Sequence, residues 1–183
     1  MSQGGMIAQT MATRHPDRVR TLTSLSSAPA PRIGQPRLCT LLSIAKVVKN
    51  PITDAESFAQ QMINLQPFTG SPGYPPDTAW LRQLGQQCYE RGYDFGAIQR
   101  HTAAIAASGD RRAQLSGLRV PTLVIHGEAD QMIRPIAGRE TADAIPGASF
   151  VTFPGMGHDL PRELWPAIID HIHSLTQRAP SHR

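Results

Sequence analysis

Three textures of apolar and polar positions follow one another along the chain. In the opening stretch, MSQGGMIAQTMATRHP, Met6, Ile7 and Met11 share one side of a helix. That helix stops at His15, because the residue before Pro16 is steered out of the α region, and Arg20 to Ser26 read as a strand. Residues 29 to about 112 hold half of the 16 prolines, lack a convincing β run and predict short helices. Thr53 and Glu56 have capping-box spacing at the head of DAESFAQQMINL, while DTAWLRQLGQQCYERG and AIQRHTAAIAASG each end at a glycine. From Leu118 to about Gln177 the period changes. VPTLVIHG is a compact, β-branched run of the kind found in a strand covered on both faces. A helix from Pro135 through Ile145 follows, then the strand SFVTF and the loop PGMGHDLP. In the last helix Leu164, Trp165, Ile168, Ile169, Ile172 and Leu175 form an apolar stripe. This strand, helix, strand, helix rhythm predicts an α/β fold with a parallel sheet, interrupted by the helical middle as an insertion.

Composition narrows the function classes. A chain of 183 residues, 40% of them hydrophobic, is long enough for a domain with a real core. The net charge of +4 comes from scattered arginines, with no basic run to track a phosphate backbone, so nucleic acid is not the expected partner. No apolar stretch approaches the ~20 residues that span a bilayer, and the first residues lack the regions of a signal peptide, so a cytoplasmic location is the expectation. Cys39 and Cys88 are far apart and form no C-x-x-C; buried thiols are expected, rather than a disulfide or metal pair. No metal site and no cofactor are expected.

The candidate chemistry lies at loops. The pattern G-x-S-x-G places a serine on a strained strand-to-helix turn with its hydroxyl exposed. Ser2-Gln3-Gly4 supplies S-x-G with Met1 before it, and the leading glycine with its strand is absent. In open parallel sheets ligands bind beyond the carboxyl ends of the strands, which is where Asp130 (after VPTLVIHG) and His158 (after SFVTF) stand. In such an arrangement the imidazole takes the serine proton and a buried carboxylate fixes its tautomer. Each residue also has a plainer reading: Asp130 begins a turn, and His158 is a loop histidine with a satisfied hydrogen bond. Glu128 is a rival acid. His126 is expected to be structural, His171 and His173 to lie on the surface, and His15 to serve the turn before Pro16. His101, Trp80 and Tyr93 either line a pocket or pack.

These motifs carry a resemblance. MSQGGMIAQTMATRHPDRVRTLTSLSS resembles the nucleophile elbow, helix and following strand of α/β-hydrolases; PTLVIHGEADQMIRP resembles their acid loop, and FPGMGHDLP their histidine loop. The match covers both ends of the chain, roughly half its residues. GRETADAIPGA, GMGHDLP and IQRHTAAIAASGDRRAQL resemble esterases and lipases of the aclacinomycin methylesterase type. The resemblance implies a partial α/β-hydrolase fold with about three C-terminal parallel strands. Its parts are the elbow, helix and strand (residues 1–28), a helical cap (29–112) and a core with the acid and histidine loops (113–183). It makes Ser2 the nucleophile, Asp130 the acid, His158 the base and the Gln3 N–H an oxyanion donor, acting on a small-molecule ester through an acyl-enzyme. Such hydrolases carry several strands and a second oxyanion donor ahead of the elbow. Their absence here leads us to expect that Met1 is an internal codon, that the N-terminal strands are missing, and that an unpaired, apolar sheet edge allows self-association. The alternative expectation is therefore a truncated fragment with impaired activity or none.

Overall fold

The computed structural model describes residues 1–179. Three parallel strands, β1 (Leu22–Leu25), β2 (Thr122–Gly127) and β3 (Ser149–Phe153), form one sheet in that order. Leu25 pairs in register with Ile125, and Ile125 with Val151, so alternate positions of all three strands present one common face. Every residue of the central strand is buried, as its unbroken apolar run predicts.

Helices cover both faces. On one side, Leu25, Leu123, Ile125 and Met156 pack with Leu164, Ile168 and Leu175 at α8 (Trp165–Gln177) and the turn before it. On the other, Leu22 meets Ala12 of α1 (Gln3–Arg14), Leu115 of the short α6 (Arg112–Leu115), Leu118, and Ile145 just after α7 (Ile136–Ala144). The stripe expected on the last helix is therefore narrower than the sequence suggests. Trp165 and Ile169 are exposed, because α8 meets the sheet only through its Ile168, Ile172 and Leu175 positions.

A larger correction concerns α1. Its buried residues are Gly5, Gln9 and Ala12, while Ile7 and Met11 are exposed. Small side chains let the helix axis lie close to β1. A polar network then replaces the apolar contact: Gln9 Nε2 donates to Ser24 Oγ (3.0 Å), and the buried Arg111 donates from Nε to Gln9 Oε1 (3.2 Å) and from Nη2 to the Ala28 carbonyl (2.8 Å).

The middle of the chain is helical, as its pattern predicts: α2 (Leu38–Val48), α3 (Ala55–Thr69), α4 (Thr78–Glu90) and α5 (Phe95–Ala107). The capping box at α3 is displaced from the expected Thr53 and Glu56. Asp54 accepts from Ser57 N and Ser57 Oγ accepts from Asp54 N, because the first helical residue is Ala55. Glu56 instead pairs with Arg82, joining α3 to α4. Cys39 is exposed and Cys88 half-buried, so the expected burial of the thiols is not found; both are free. α2 turns Leu38, Cys39, Leu41 and Leu42 outward and buries only Thr40. Among the described residues no helix is long and apolar enough to cross a membrane.

Candidate functional site

Ser2 precedes α1 with φ 51° and ψ −128°, a left-handed conformation that non-glycine residues rarely adopt. Three contacts hold it there. Ser2 N donates to Leu25 O (2.9 Å), Ser27 Oγ donates to Ser2 O (2.8 Å), and Gly5 lies against Ser27 so closely that a Cβ would sit 2.6 Å from the Ser27 Cβ. Gly5, rather than the Gly4 of the S-x-G pattern, is thus the glycine that gives the turn its room; a Cβ at Gly4 meets nothing within 4 Å.

Asp130 and His158 stand beyond the ends of β2 and β3, and both point back toward Ser2. His158 Nδ1 is 2.7 Å from Asp130 Oδ2, and His158 Nε2 is 3.0 Å from Ser2 Oγ. Burial pushes the Asp130 carboxyl up, but the contact with His126, the hydrogen bond and charge of His158, and the Ile133 N–H outweigh it and hold the group at about 2. Asp130 is therefore a carboxylate at neutral pH and only accepts. A carboxylate oxygen at His158 Nδ1 selects the tautomer with its N–H there, in which Nε2 is the acceptor for the Ser2 hydroxyl. Asp130 Oδ1 accepts from Met132 N and Ile133 N (both 2.9 Å), so the turn expected of this aspartate exists together with its contact to His158.

The other candidates separate. Glu128 is exposed, and its Oε1 accepts from Thr152 Oγ1 (2.7 Å). His126 is fully buried; its Nε2 donates to Ile133 O (2.7 Å) and lies 3.5 Å from Asp130 Oδ2, a contact the sequence does not signal. Tyr93 stacks with Tyr89 and meets Phe58, His171 meets Phe153 edge-on, and His15, His101 and His173 are exposed. Trp80 lines a cleft of about 910 Å³ that opens beside His158 and Met1, walled by Met62, Leu65, Leu81 and Leu84 of α3 and α4. At its rim the Arg162 guanidinium lies over the rings of Trp80 (5.2 Å) and Trp165 (5.3 Å).

The Gln3 N–H opens α1, and N–H groups in the first turn of a helix have no intrahelical acceptor. It is available to an oxygen bonded near Ser2. Among the described residues no group of three or more His, Cys, Asp or Glu side chains is arranged to hold a metal.

No family model matches the chain. It is 26% identical over 159 residues to a pimeloyl-[acyl-carrier protein] methyl ester esterase of Chromobacterium violaceum, covering 86% of this chain and 60% of that protein. To the rhodomycin D methylesterase DauP of a Streptomyces species it is 25% identical, covering 96% and 66%. The chain thus spans less than two thirds of the length of these curated relatives. Among solved structures, the enol-lactonase of Burkholderia xenovorans superimposes with a TM-score of 0.69 at 26% identity, over 97% of this chain and 64% of that one. The three-stranded parallel sheet with its flanking helices is thus that of a partial α/β-hydrolase fold, and in sequence the chain is similar to methylesterases.

Proposed function

We propose that the chain is a serine hydrolase of carboxylic esters, with Ser2 as nucleophile, His158 as general base and Asp130 as its orienting acid. The observation that carries this reading is the unbroken series of hydrogen bonds from Ser2 Oγ through His158 to Asp130, at 3.0 and 2.7 Å. Ser2 Oγ attacks the ester carbonyl as its proton passes to His158 Nε2, and Asp130 stabilises the imidazolium. The oxyanion takes the Gln3 N–H as one donor. His158 returns the proton to the leaving alcohol, and a water activated by the same ring releases the acyl group from Ser2. No cofactor enters these steps. Met62, Leu65, Leu81, Leu84 and Trp80 suit an apolar acyl or alcohol group, and we assign residues 29–112 to a helical cap that sets substrate choice. The test is p-nitrophenyl acetate hydrolysis by Ser2→Ala and His158→Ala: activity that survives both changes sinks the assignment.

A second reading is favoured by the open side of β1. Its inner edge pairs with β2, and on the outer side the Ser2 N–H meets Leu25 O. In this reading the chain is an impaired fragment that pairs its edge with a second copy. A sedimentation experiment that finds a monomer with undiminished turnover at every concentration excludes it.

A further inference from the structure

His158 sits in a loop without regular structure, and the partners of the backbone around it come from another part of the molecule. Residues 69–74, which run on from α3, lie along residues 154–159. Thr69 O accepts from His158 N (2.8 Å), Gly73 N donates to Gly155 O (3.0 Å), and Tyr74 Oη donates to Pro154 O (3.2 Å). Between these bonds the Ser71 hydroxyl, in a residue only 3% exposed, accepts from Gly157 N (2.8 Å) and donates to Asp159 Oδ1. The two segments approach so closely that a Cβ on Gly157 would collide with the Gly70 carbonyl.

One hydroxyl thus holds the residue before His158 and the residue after it. Ser2 and Asp130 are fixed by the elbow turn and by the end of β2, whereas the imidazole must reach both from a loop. The segment that holds this loop is continuous with α3, whose Met62, Leu65, Gln66 and Thr69 wall the cleft. We propose that Ser71 is a positioning residue for His158, coupling the α3 wall of the cleft to the base. The proposal rests on the hydrolase reading above. Without the hydroxyl, Gly157 N and the Asp159 carboxylate lose their shared partner, and the imidazole is free to drift from its place between Ser2 and Asp130. A displacement of about 1 Å at a catalytic group can cost on the order of a hundredfold in rate.

The test compares Ser71→Ala, Asp159→Ala, their double variant and Asp159→Asn, whose amide oxygen still accepts from Ser71. Turnover of p-nitrophenyl acetate is expressed per Ser2 that a fluorophosphonate labels, and amide hydrogen exchange is followed at Gly157 and His158. Expected for both alanine variants are a kcat lower by about 10- to 100-fold, a KM within about twofold, and faster exchange at the two amides. The double variant should be no worse than either single one, and Asp159→Asn should recover most of the rate. Wild-type kcat per labelled Ser2 in Ser71→Ala overturns the proposal, as does a loss of activity fully accounted for by a smaller amount of folded protein. If Ser2→Ala keeps the activity, the hydrolase reading fails instead, and the exchange at Gly157 and His158 alone decides whether Ser71 holds the loop.

Discussion

The imidazoles of His126 and His158 converge on one carboxylate oxygen, Asp130 Oδ2, at 3.5 and 2.7 Å. His126 must carry its proton on Nε2, because the carbonyl of Ile133 at 2.7 Å only accepts, so the same N–H leans on the oxygen that His158 uses. A donor on that oxygen stabilises the bare carboxylate and weakens its hold on an imidazolium. In His126→Phe, which keeps a ring in a packed site, the Asp130 carboxylate should bind protonated His158 more firmly. The acid limb of the kcat/KM profile is then expected to move up by about half a pH unit. A profile that stays in place, or moves down, would show that His126 does not act through Asp130.

Asp130 ties stability to pH in a defined direction. Its folded-state value of about 2 lies below the ordinary 3.8, so the native state favours the carboxylate. The resulting stability is fully present above pH 4 and is lost as the pH falls from about 4 toward 2, with a magnitude on the order of 2 kcal/mol. Urea unfolding should therefore separate wild type from Asp130→Asn at pH 6, and much less at pH 2. A gap of equal size at both values would assign the difference to packing. The same variant should lose about 10³- to 10⁴-fold in kcat, since an amide cannot hold the His158 Nδ1–H tautomer.

Glu128 and Asp130 are two residues apart, yet they face different partners. Glu128 bonds to Thr152 Oγ1 at an exposed site, so Glu128→Gln should keep kcat/KM within about twofold. A loss as large as that of Asp130→Asn would transfer the acid role to Glu128.

The strands and their loops were legible because one physical rule decides them. β2 is buried on every side, so each of its positions had to be apolar or internally bonded, and VPTLVIHG advertises that. Asp130 and His158 follow from strand ends in the same way. The buried face of α1 was not legible, since a periodicity argument weighs apolar size and this helix packs by smallness. Gly5 and Ala12 approach β1, and Gln9 enters the core only because Arg111, about a hundred positions away, meets its oxygen. Ser71 is hidden for a related reason. A lone serine after a helix carries no local signal, and its role comes from Gly157 and Asp159 across the fold.

The two glycines after Ser2 give the sharpest contrast between motif and sterics. Gly4 occupies the motif position, but a Cβ there meets nothing, and its place in the first turns of α1 favours alanine. Gly4→Ala should leave the midpoint of urea unfolding unchanged or raise stability by up to ~1 kcal/mol, because alanine is the better helix former and loses less chain entropy on folding. Gly5 is the adjacent residue with the opposite environment. Its Cβ would lie 2.6 Å from Ser27 Cβ and 2.7 Å from Ser27 Oγ, and Ser27 is the buried residue whose hydroxyl bonds to Ser2 O at 2.8 Å. Relieving that overlap must push α1 from β1 or turn Ser27 away from the elbow. Gly5→Ala should therefore cost about 1–3 kcal/mol and lower kcat as well, since the left-handed turn at Ser2 loses one of the contacts that hold it. If the two substitutions behave alike, the turn is held by its hydrogen bonds with Leu25 O and Ser27 Oγ, and the close packing of Gly5 on Ser27 contributes nothing to the placement of Ser2 Oγ.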